Sequence, residues 1–289
     1  MINNNLTIII PIYNEEKHII RAIESIANQA NQIIVVDSES TDKSLQLIRT
    51  KFPQVEIITY KADTFSKKMN FAIHNDLVKN NWVMRLDADE VIIDPEIFFK
   101  IIYKCINNEN SFSGIYINRR YYFNNNWVRY GDMYPRKVMR IFIAKKAQYE
   151  NKNLDEKVLL EGESIICDVD IADINLNNTL YWIKKHVMYA KKEADDINKY
   201  KTNILEYDLE FDNKTHRNKK IYYSFPIFIR PIIYYFFRLI SKRGYKDNTI
   251  GNLYHLLHSI VYREIVDFYI FIKIVEALLF GKFKYFKHK

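Results

Sequence analysis

The chain has 289 residues, enough for one large domain or for one domain with an appendage. At 48% hydrophobic and 27% charged it is not a disordered chain, and its two cysteines, Cys105 and Cys167, make no disulfide framework and fit a reducing compartment. From Lys214 onward 15 Lys+Arg face four acids, a net of +11, against a net of −3 for residues 1–213; this splits the chain into an N-terminal part and a basic, aromatic-rich region over 214–289.

Leu6 to Ile10 is apolar and β-branched and predicts a strand, followed by the turn Pro11-Ile12-Tyr13-Asn14-Glu15. Ile19, Ile23 and Ile26 recur at helical spacing and predict a helix over Glu16 to Asn28 with acids in its first turn. A second strand, Gln32 to Val36, ends at Asp37, and Ser38-Glu39-Ser40-Thr41-Asp42 is rich in helix-capping residues ahead of a helix marked by Leu45 and Ile48. Val55 to Tyr60 predicts a third strand, Ser66 to Val78 a third helix, and Val83 to Leu86 a fourth, buried strand. Asp94-Pro95-Glu96 opens a fourth helix whose predicted buried stripe is Ile97, Ile101, Ile102 and Cys105. Strands alternating with helices of this length predict an α/β fold, a mostly parallel sheet with helices on both faces. Beyond residue 110, Gly114 to Phe123 and Val138 to Ala144 are strand-like around the turn Asn124-Asn125-Asn126, and the stretch to about Thr179 is polar and irregular.

Chemistry is expected where polar groups end the predicted strands: Tyr13-Asn14-Glu15, Asp37 and Asp87-Ala88-Asp89. In a parallel sheet these carboxyl ends share one edge, where open α/β sheets bind ligands. Asp87, Asp89 and Glu90 repel one another unless a cation joins them, and magnesium typically uses one or two carboxylates together with substrate phosphates. No glycine-rich dinucleotide fingerprint follows the first strand and no Gly-Lys-Ser/Thr loop is present, which argues against a dehydrogenase or a P-loop NTPase.

Three segments carry a family resemblance: Ile9-Ile10-Pro11-Ile12-Tyr13-Asn14-Glu15-Glu16, Ile34 to Asp42, and Leu86-Asp87-Ala88-Asp89-Glu90. In order and spacing they resemble the family 2 glycosyltransferases of the GT-A fold. Gly131 to Pro135, Asp155-Glu156-Lys157, Lys185 to Ala190 and the run Arg238 to Glu276 look like the branch of lipopolysaccharide-core β-glucosyltransferases and capsule or exopolysaccharide sugar transferases. The resemblance implies a UDP-sugar donor, a divalent cation (Mg2+ or Mn2+) and inverting transfer to a glycan or glycolipid acceptor. It implies that Pro11, Tyr13, Asn14 and Glu15 line the uridine pocket, that Asp37 accepts a hydrogen bond from uracil, and that Asp87, Ala88 and Asp89 meet the ribose, the diphosphate and the metal. Asn70 matches an Asn that approaches the nucleotide; the residue before it is often basic and here is Met69, so Lys67 or Lys68 would substitute. The catalytic base falls at Asp155 or Glu156, with Glu156 the residue shared with relatives. Trp127, Tyr134 and Arg136 fall in the acceptor-side segment, each equally read as structural, with His186 as a further candidate that reads more readily as structural. Transfer to polyprenyl phosphate, and non-catalytic nucleotide-sugar binding, are the alternative readings.

Ile221 to Ile240 is apolar but broken by Pro226, Arg230, Pro231 and Arg238, which argues against a spanning helix. The first ten residues lack the basic start of a signal peptide, and no apolar run reaches roughly 18 uncharged residues. Leu253, Leu257, Ile260, Ile265, Phe268, Ile272, Val275 and Leu279 predict amphipathic helices. Basic residues interleaved with this apolar stripe, and the tail Lys282, Lys284, Lys287 and Lys289, favour an anionic membrane surface over nucleic acid, with a cytoplasmic, membrane-peripheral location. Packing as a helical subdomain, on the catalytic part or in a homo-oligomer, is the competing expectation.

Overall fold

A computed structural model of the chain describes residues 5–108, 111–151, 156–202 and 221–279. It divides into two compact units, one of Met1–Arg129 with Met133–Leu176 and one of Tyr130–Asp132 with Asn177–Lys289. The charge-based boundary at 213/214 and the tail Lys282 to Lys289 lie outside the described residues. The compact units divide earlier, after Leu176, because the helix α5 (Thr179–Thr202) buries Ala190 and Ala194 in a cluster with Tyr262, Val266 and Ile270 of the C-terminal region.

The first unit is built on strands β1 (Leu6–Ile12), β2 (Gln32–Asp37), β3 (Glu56–Thr59) and β4 (Trp82–Arg85), paired in parallel in the order β3-β2-β1-β4. Every residue of β1 and β2 is buried, so both read as continuous apolar runs. The sheet continues antiparallel through β8 (Arg136–Ile143) to β6 (Phe112–Phe123), then to β11 (Glu163–Ile174), parallel to β6, and to the short β5 (Glu90–Ile92). The strand β7 (Asn126–Val128) returns along β6 through Asn124 and Asn125, both at positive φ as a two-residue hairpin turn requires. β9 (Ala147–Tyr149) and β10 (Val158–Leu160) form a separate ribbon. Helices α1 (Ile19–Glu24), α2 (Ser44–Lys51) and α4 (Pro95–Asn108) cover one face of the sheet, and α3 (Phe65–Ile73) covers the other.

Several expectations need correction. Helix α1 is shorter than 16–28 and has no acid in its first turn, and α3 ends at Ile73 rather than Val78. In α4, Ile97 is 55% exposed; the buried stripe runs through Phe98, Phe99, Ile102, Tyr103 and Ile106. The stretch expected to be irregular contains β11, twelve residues long and flanked on both sides. Its carboxylates hide it from a hydrophobic pattern but are matched by β6: Asp168 accepts from Asn118 at 2.8 Å, Asp170 pairs with Arg120, and Asp173 lies 3.8 Å from Arg119.

The second unit is helical: α5, α6 (Arg230–Phe236), α7 (Thr249–Leu256) and α8 (Tyr262–Leu279), with π-helical turns at Phe237–Ser241 and Leu257–Val261. The expected apolar stripe is not the one that is buried. Leu253, Phe268 and Leu279 are exposed, while Tyr254, His255, Ser259, Tyr262, Val266, Asp267 and Ile270 face inward. Arg230 donates through Nε to Asp267 at 2.9 Å, the Phe228 amide donates to the same carboxylate at 2.9 Å, and the guanidinium lies over Tyr222 and Tyr223.

Removing one partner of such a buried pair strands the other charge. Asp267→Ala is expected to cost about 3–5 kcal/mol, and Arg230→Met with Asp267→Leu markedly less. Urea unfolding followed by circular dichroism checks both; a single variant as stable as the double would show that the pair carries no such charge penalty.

Candidate active site

The carboxyl ends of β1, β2 and β4 lie side by side, because β1 is flanked by β2 and β4 in parallel register. The loops after β1 and β2 are locked together. Asn14, at φ 56°, accepts from the Thr41 and Asp42 amides at 2.8 and 3.3 Å, and its own amide donates to Ser40 Oγ at 2.9 Å. The Glu15 amide donates to Ser44 Oγ at 2.8 Å. His18 Nε2 accepts from the Leu176 amide at 3.0 Å, so in the neutral ring Nδ1 carries the proton and donates to Glu15 Oε2 at 2.7 Å. Pro11 is buried within β1, whereas Tyr13 is 57% exposed at its end. The buried Asp37 accepts the Ser40 amide on both oxygens at 3.1 Å.

Beside this edge α3 presents two lysines with different fates. Lys67 is exposed and pairs with Asp63 at 3.0 Å. Lys68 is buried and donates to the Ile12 carbonyl oxygen at 3.3 Å. Burial lowers its pKa; the charges of Asp37, Asp87 and Glu15 oppose that shift, and the Arg85 guanidinium adds to it. Asn70 is committed elsewhere. Its Nδ2 donates to the Tyr149 carbonyl at 3.0 Å and its Oδ1 accepts the Tyr149 amide at 2.7 Å, so it ties α3 to β9 instead of opening toward a ligand.

The Asp-Ala-Asp loop after β4 separates its two acids. Asp87 is gripped by Arg85 through Nε and Nη2 at 2.7 and 2.8 Å and by Arg140 at 3.0 Å, and its carboxyl is held well below the usual range despite burial because both guanidiniums sit against it. Arg140 also bonds Glu90, whose second oxygen accepts the Asp87 amide at 3.0 Å. The expected metal role of Asp87 therefore meets a carboxylate already occupied on both oxygens. Ala88 is packed in the core. Asp89 has one oxygen on Asn175 Nδ2 at 3.1 Å and no hydrogen-bond partner for the other among the described residues. Its carbonyl accepts from the Ile174 amide at 2.9 Å and from Arg21 at 3.4 Å. Next to it, burial and the charge of Asp89 push the Asp173 carboxyl up to about 8.

Asp89 therefore stands half-buried beside a second carboxyl, Asp173, with an open oxygen, which fits a divalent cation. Among the described residues no three His, Cys, Asp or Glu side chains form a ready cage. Magnesium typically takes one or two carboxylates and completes its ligand set with substrate phosphates. Sequence reasoning missed Arg85, Arg140, Arg21 and Asn175; only Arg85, two residues before Asp87, left a local signal.

On the acceptor-side segment, the Arg120 and Arg129 guanidiniums lie over the Trp127 ring, at 4.7 and 5.1 Å, with Tyr134 edge-on at 5.2 Å. Tyr134 donates to Asp170 at 3.1 Å. The exposed Arg136 is directly opposite Arg119 in the β6–β8 register. Glu156 is half-buried just before β10, and Asp155 lies outside the described residues. His186 belongs to the helical unit: it stacks on Trp182 at 3.6 Å, meets Tyr262 edge-on, and its Nδ1–H donates to the Trp182 carbonyl at 2.8 Å.

The family profile "Glycosyl transferase family 2" matches residues 7–164, the strands and loops that build this edge. The chain belongs to that family. A segment of 81 residues is 37% identical to the SPbeta prophage-derived glycosyltransferase SunS of Bacillus subtilis, covering 28% of this chain and 19% of that protein. Another of 77 residues is 39% identical to an uncharacterized glycosyltransferase of Rickettsia bellii, covering 27% of this chain and 25% of that one. The matches thus span about a fifth to a quarter of these relatives' lengths. Among solved structures, the mannosyltransferase PcManGT from Pyrobaculum calidifontis, in complex with GDP-Man and Mn2+, superposes over 95% of this chain and 87% of its own, with a TM-score of 0.52 and 13% identity. This is a likeness of fold, and it supports the expected GT-A architecture with a C-terminal helical region.

His186 gives this chain a test in acid. Burial lowers its pKa from 6.5 to about 4, so folding favours the neutral ring; that stability is present above pH 6.5 and is lost as pH falls toward 4. The loss is expected to be about 1–3 kcal/mol, and His186→Phe should abolish this part of the acid destabilisation. Unfolding free energies at pH 7 and pH 4.5 decide it; an unchanged acid slope in the variant would show that the ring is not held neutral.

Proposed function

We propose that this family 2 glycosyltransferase moves a sugar from a UDP-sugar, with a divalent cation and with inversion, to a hydroxyl of a lipid-linked, lipopolysaccharide or capsule glycan. The observation that carries the reading is that Asp37 ends β2 and Asp87 and Asp89 follow β4, the two strands that flank β1 in parallel, with the buried Lys68 donating to the Ile12 carbonyl at the end of β1. Metal and nucleotide-sugar together in PcManGT agree with the donor chemistry.

On this reading Asp37 orients the base, Tyr13 lies over it, and Lys68 meets the diphosphate as a compact positive charge. Asp89, with phosphate oxygens, would hold the cation, which offsets the charge that develops on the departing diphosphate. Asp87 does not ligate; it keeps Arg85 and Arg140 in place and fixes the loop that aims Asp89. The acceptor hydroxyl loses its proton to Glu156 or Asp155 as its oxygen attacks the anomeric carbon and the nucleoside diphosphate leaves. A second reading, transfer to polyprenyl phosphate, has one observation in its favour. Arg136 is exposed directly opposite Arg119, which lies 3.8 Å from Asp173, so a guanidinium is presented there that suits a phosphate. That acceptor is already an anion and needs no base.

Asp89→Ala is expected to abolish transfer and the manganese dependence of UDP binding while leaving thermal unfolding unchanged, since the residue ends a loop outside the core. Calorimetric titration of UDP with and without manganese tests it; equal metal dependence in variant and wild type would remove Asp89 from the site.

The candidate bases separate kinetically. Glu156→Gln is expected to lower turnover by about 10²–10⁴ with UDP affinity unchanged, and Asp155→Asn to act more mildly. The reverse ranking would move the base to Asp155. A double variant that turns over like wild type would favour the polyprenyl phosphate reading.

A further inference from the structure

The helical unit buries charged and polar groups beside its apolar cluster of Ala190, Ala194, Tyr262, Val266 and Ile270. Arg230, Arg238, Asp247, His255, Ser259 and Asp267 are buried. Along the same segment Ile229, Ile232, Ile233, Phe236, Phe237 and Ile240 are exposed, from 39% at Ile233 to 63% at Ile240. These six fall at i, i+3, i+4, i+7, i+8 and i+11, which places them on one face of α6 and the turn that continues it. The face does not end there. Phe228 packs edge-on against Phe271 of α8 at 5.9 Å, both partly exposed, and Phe268 lies one turn away on α8. An apolar surface this continuous marks an interaction site.

The inward polar groups keep the face apolar. Arg230 is held by Asp267, and Arg238 donates to the Gly131 carbonyl at 2.8 Å and to Ser259 Oγ at 3.0 Å. The two arginines that break the apolar run in the sequence thus point away from the exposed surface. Exposed cations follow the stripe directly: Lys242, paired with Asp132 at 3.1 Å, then Arg243 and Lys246.

From residue 229 to 240 the stripe extends only about 18 Å at 1.5 Å per residue, short of the roughly 30 Å hydrocarbon core. No described helix is long and apolar enough to cross a membrane. The geometry points to the exposed face of Ile229–Ile240, with Phe228, Phe268 and Phe271, as a surface that lies in one leaflet of an anionic lipid bilayer, its helix along the membrane plane and Lys242, Arg243 and Lys246 at the headgroups. An anionic leaflet complements those cations, whereas a second copy of the chain would bring cations of the same sign to the patch. The inference is independent of the sugar-transfer reading, since it uses no residue of the sheet edge.

The test is co-sedimentation of the full chain with vesicles of phosphatidylcholine containing phosphatidylglycerol, at low salt. The wild type is expected to pellet with the vesicles, and Ile232→Glu with Phe236→Glu to lower the partition coefficient by about a hundredfold. Both side chains are exposed, so far-UV circular dichroism and thermal unfolding should match the wild type. Wild-type protein that stays in the supernatant, or a folded double variant that pellets equally, overturns the proposal. So does a wild type that ignores vesicles but sediments as a dimer that the same substitutions dissociate, which would assign the face to a second copy.

Discussion

The candidate site depends on one buried charge arrangement, in which Arg85 and Arg140 hold Asp87 and Glu90 at the end of β4. Four charged groups brought so far out of water would destabilise the fold singly, and they persist because each meets opposite charge with hydrogen-bond geometry. Arg85 also lies 4.2 Å from the Phe65 ring and 5.8 Å from the Tyr149 ring, so its guanidinium is fixed from the α3 side as well. The two acids do not behave alike. Asp87, facing both arginines, stays ionised, whereas burial and the neighbouring charge of Asp87 raise the carboxyl of Glu90. The loop from Leu86 to Asp89 is thereby pinned at Asp87 by side chains and at Asp89 by its backbone. What remains open is one carboxylate oxygen of Asp89, the other being held by Asn175.

The sequence made the parallel half of the sheet legible because β1, β2 and β4 are buried on both faces and read as apolar runs. Asp37, Asp87 and Asp89 were legible for the same reason, as acids that stop such runs. β11 was not, because Asp168, Asp170 and Asp173 interrupt its pattern and are partnered by Asn118, Arg120 and Arg119, through a hydrogen bond and two ion pairs, from a strand about fifty residues away. Pairing across the chain overrides local hydrophobicity. Lys67 and Lys68 are adjacent and chemically identical, so only burial distinguishes them. Asn70 illustrates the opposite limit: its position on α3 matches expectation, but its amide is spent on the Tyr149 backbone.

In the helical unit the periodicity was legible and its sense was not. A 3.6-residue repeat shows which residues share a face but not which face turns inward, and the usual assumption puts leucine inside. Here Glu193 collects Tyr223, Tyr262 and Arg263 at 3.3, 2.5 and 2.5 Å, and Arg263 lies among the rings of Tyr222, Tyr234 and Tyr262. Tyrosine makes this interior workable, since each ring supplies apolar area to the packing and a hydroxyl or π face to a charge. The abundance of tyrosine, 22 residues in 289, fits that demand.

The separation of roles within Asp87-Ala88-Asp89 also bears on how a cation would bind. One carboxylate oxygen on Asp89, without a converging cage, is a weak site alone, because a hard cation needs six or more oxygens. A diphosphate supplies several of them and brings charge that Lys68 partly meets. Cation and nucleotide would then each raise the affinity for the other by the same factor, as linkage requires. Asp173 enters the same balance. Its carboxyl is pushed up to about 8 by burial and by Asp89, so near neutral pH it is largely protonated and adds little repulsion.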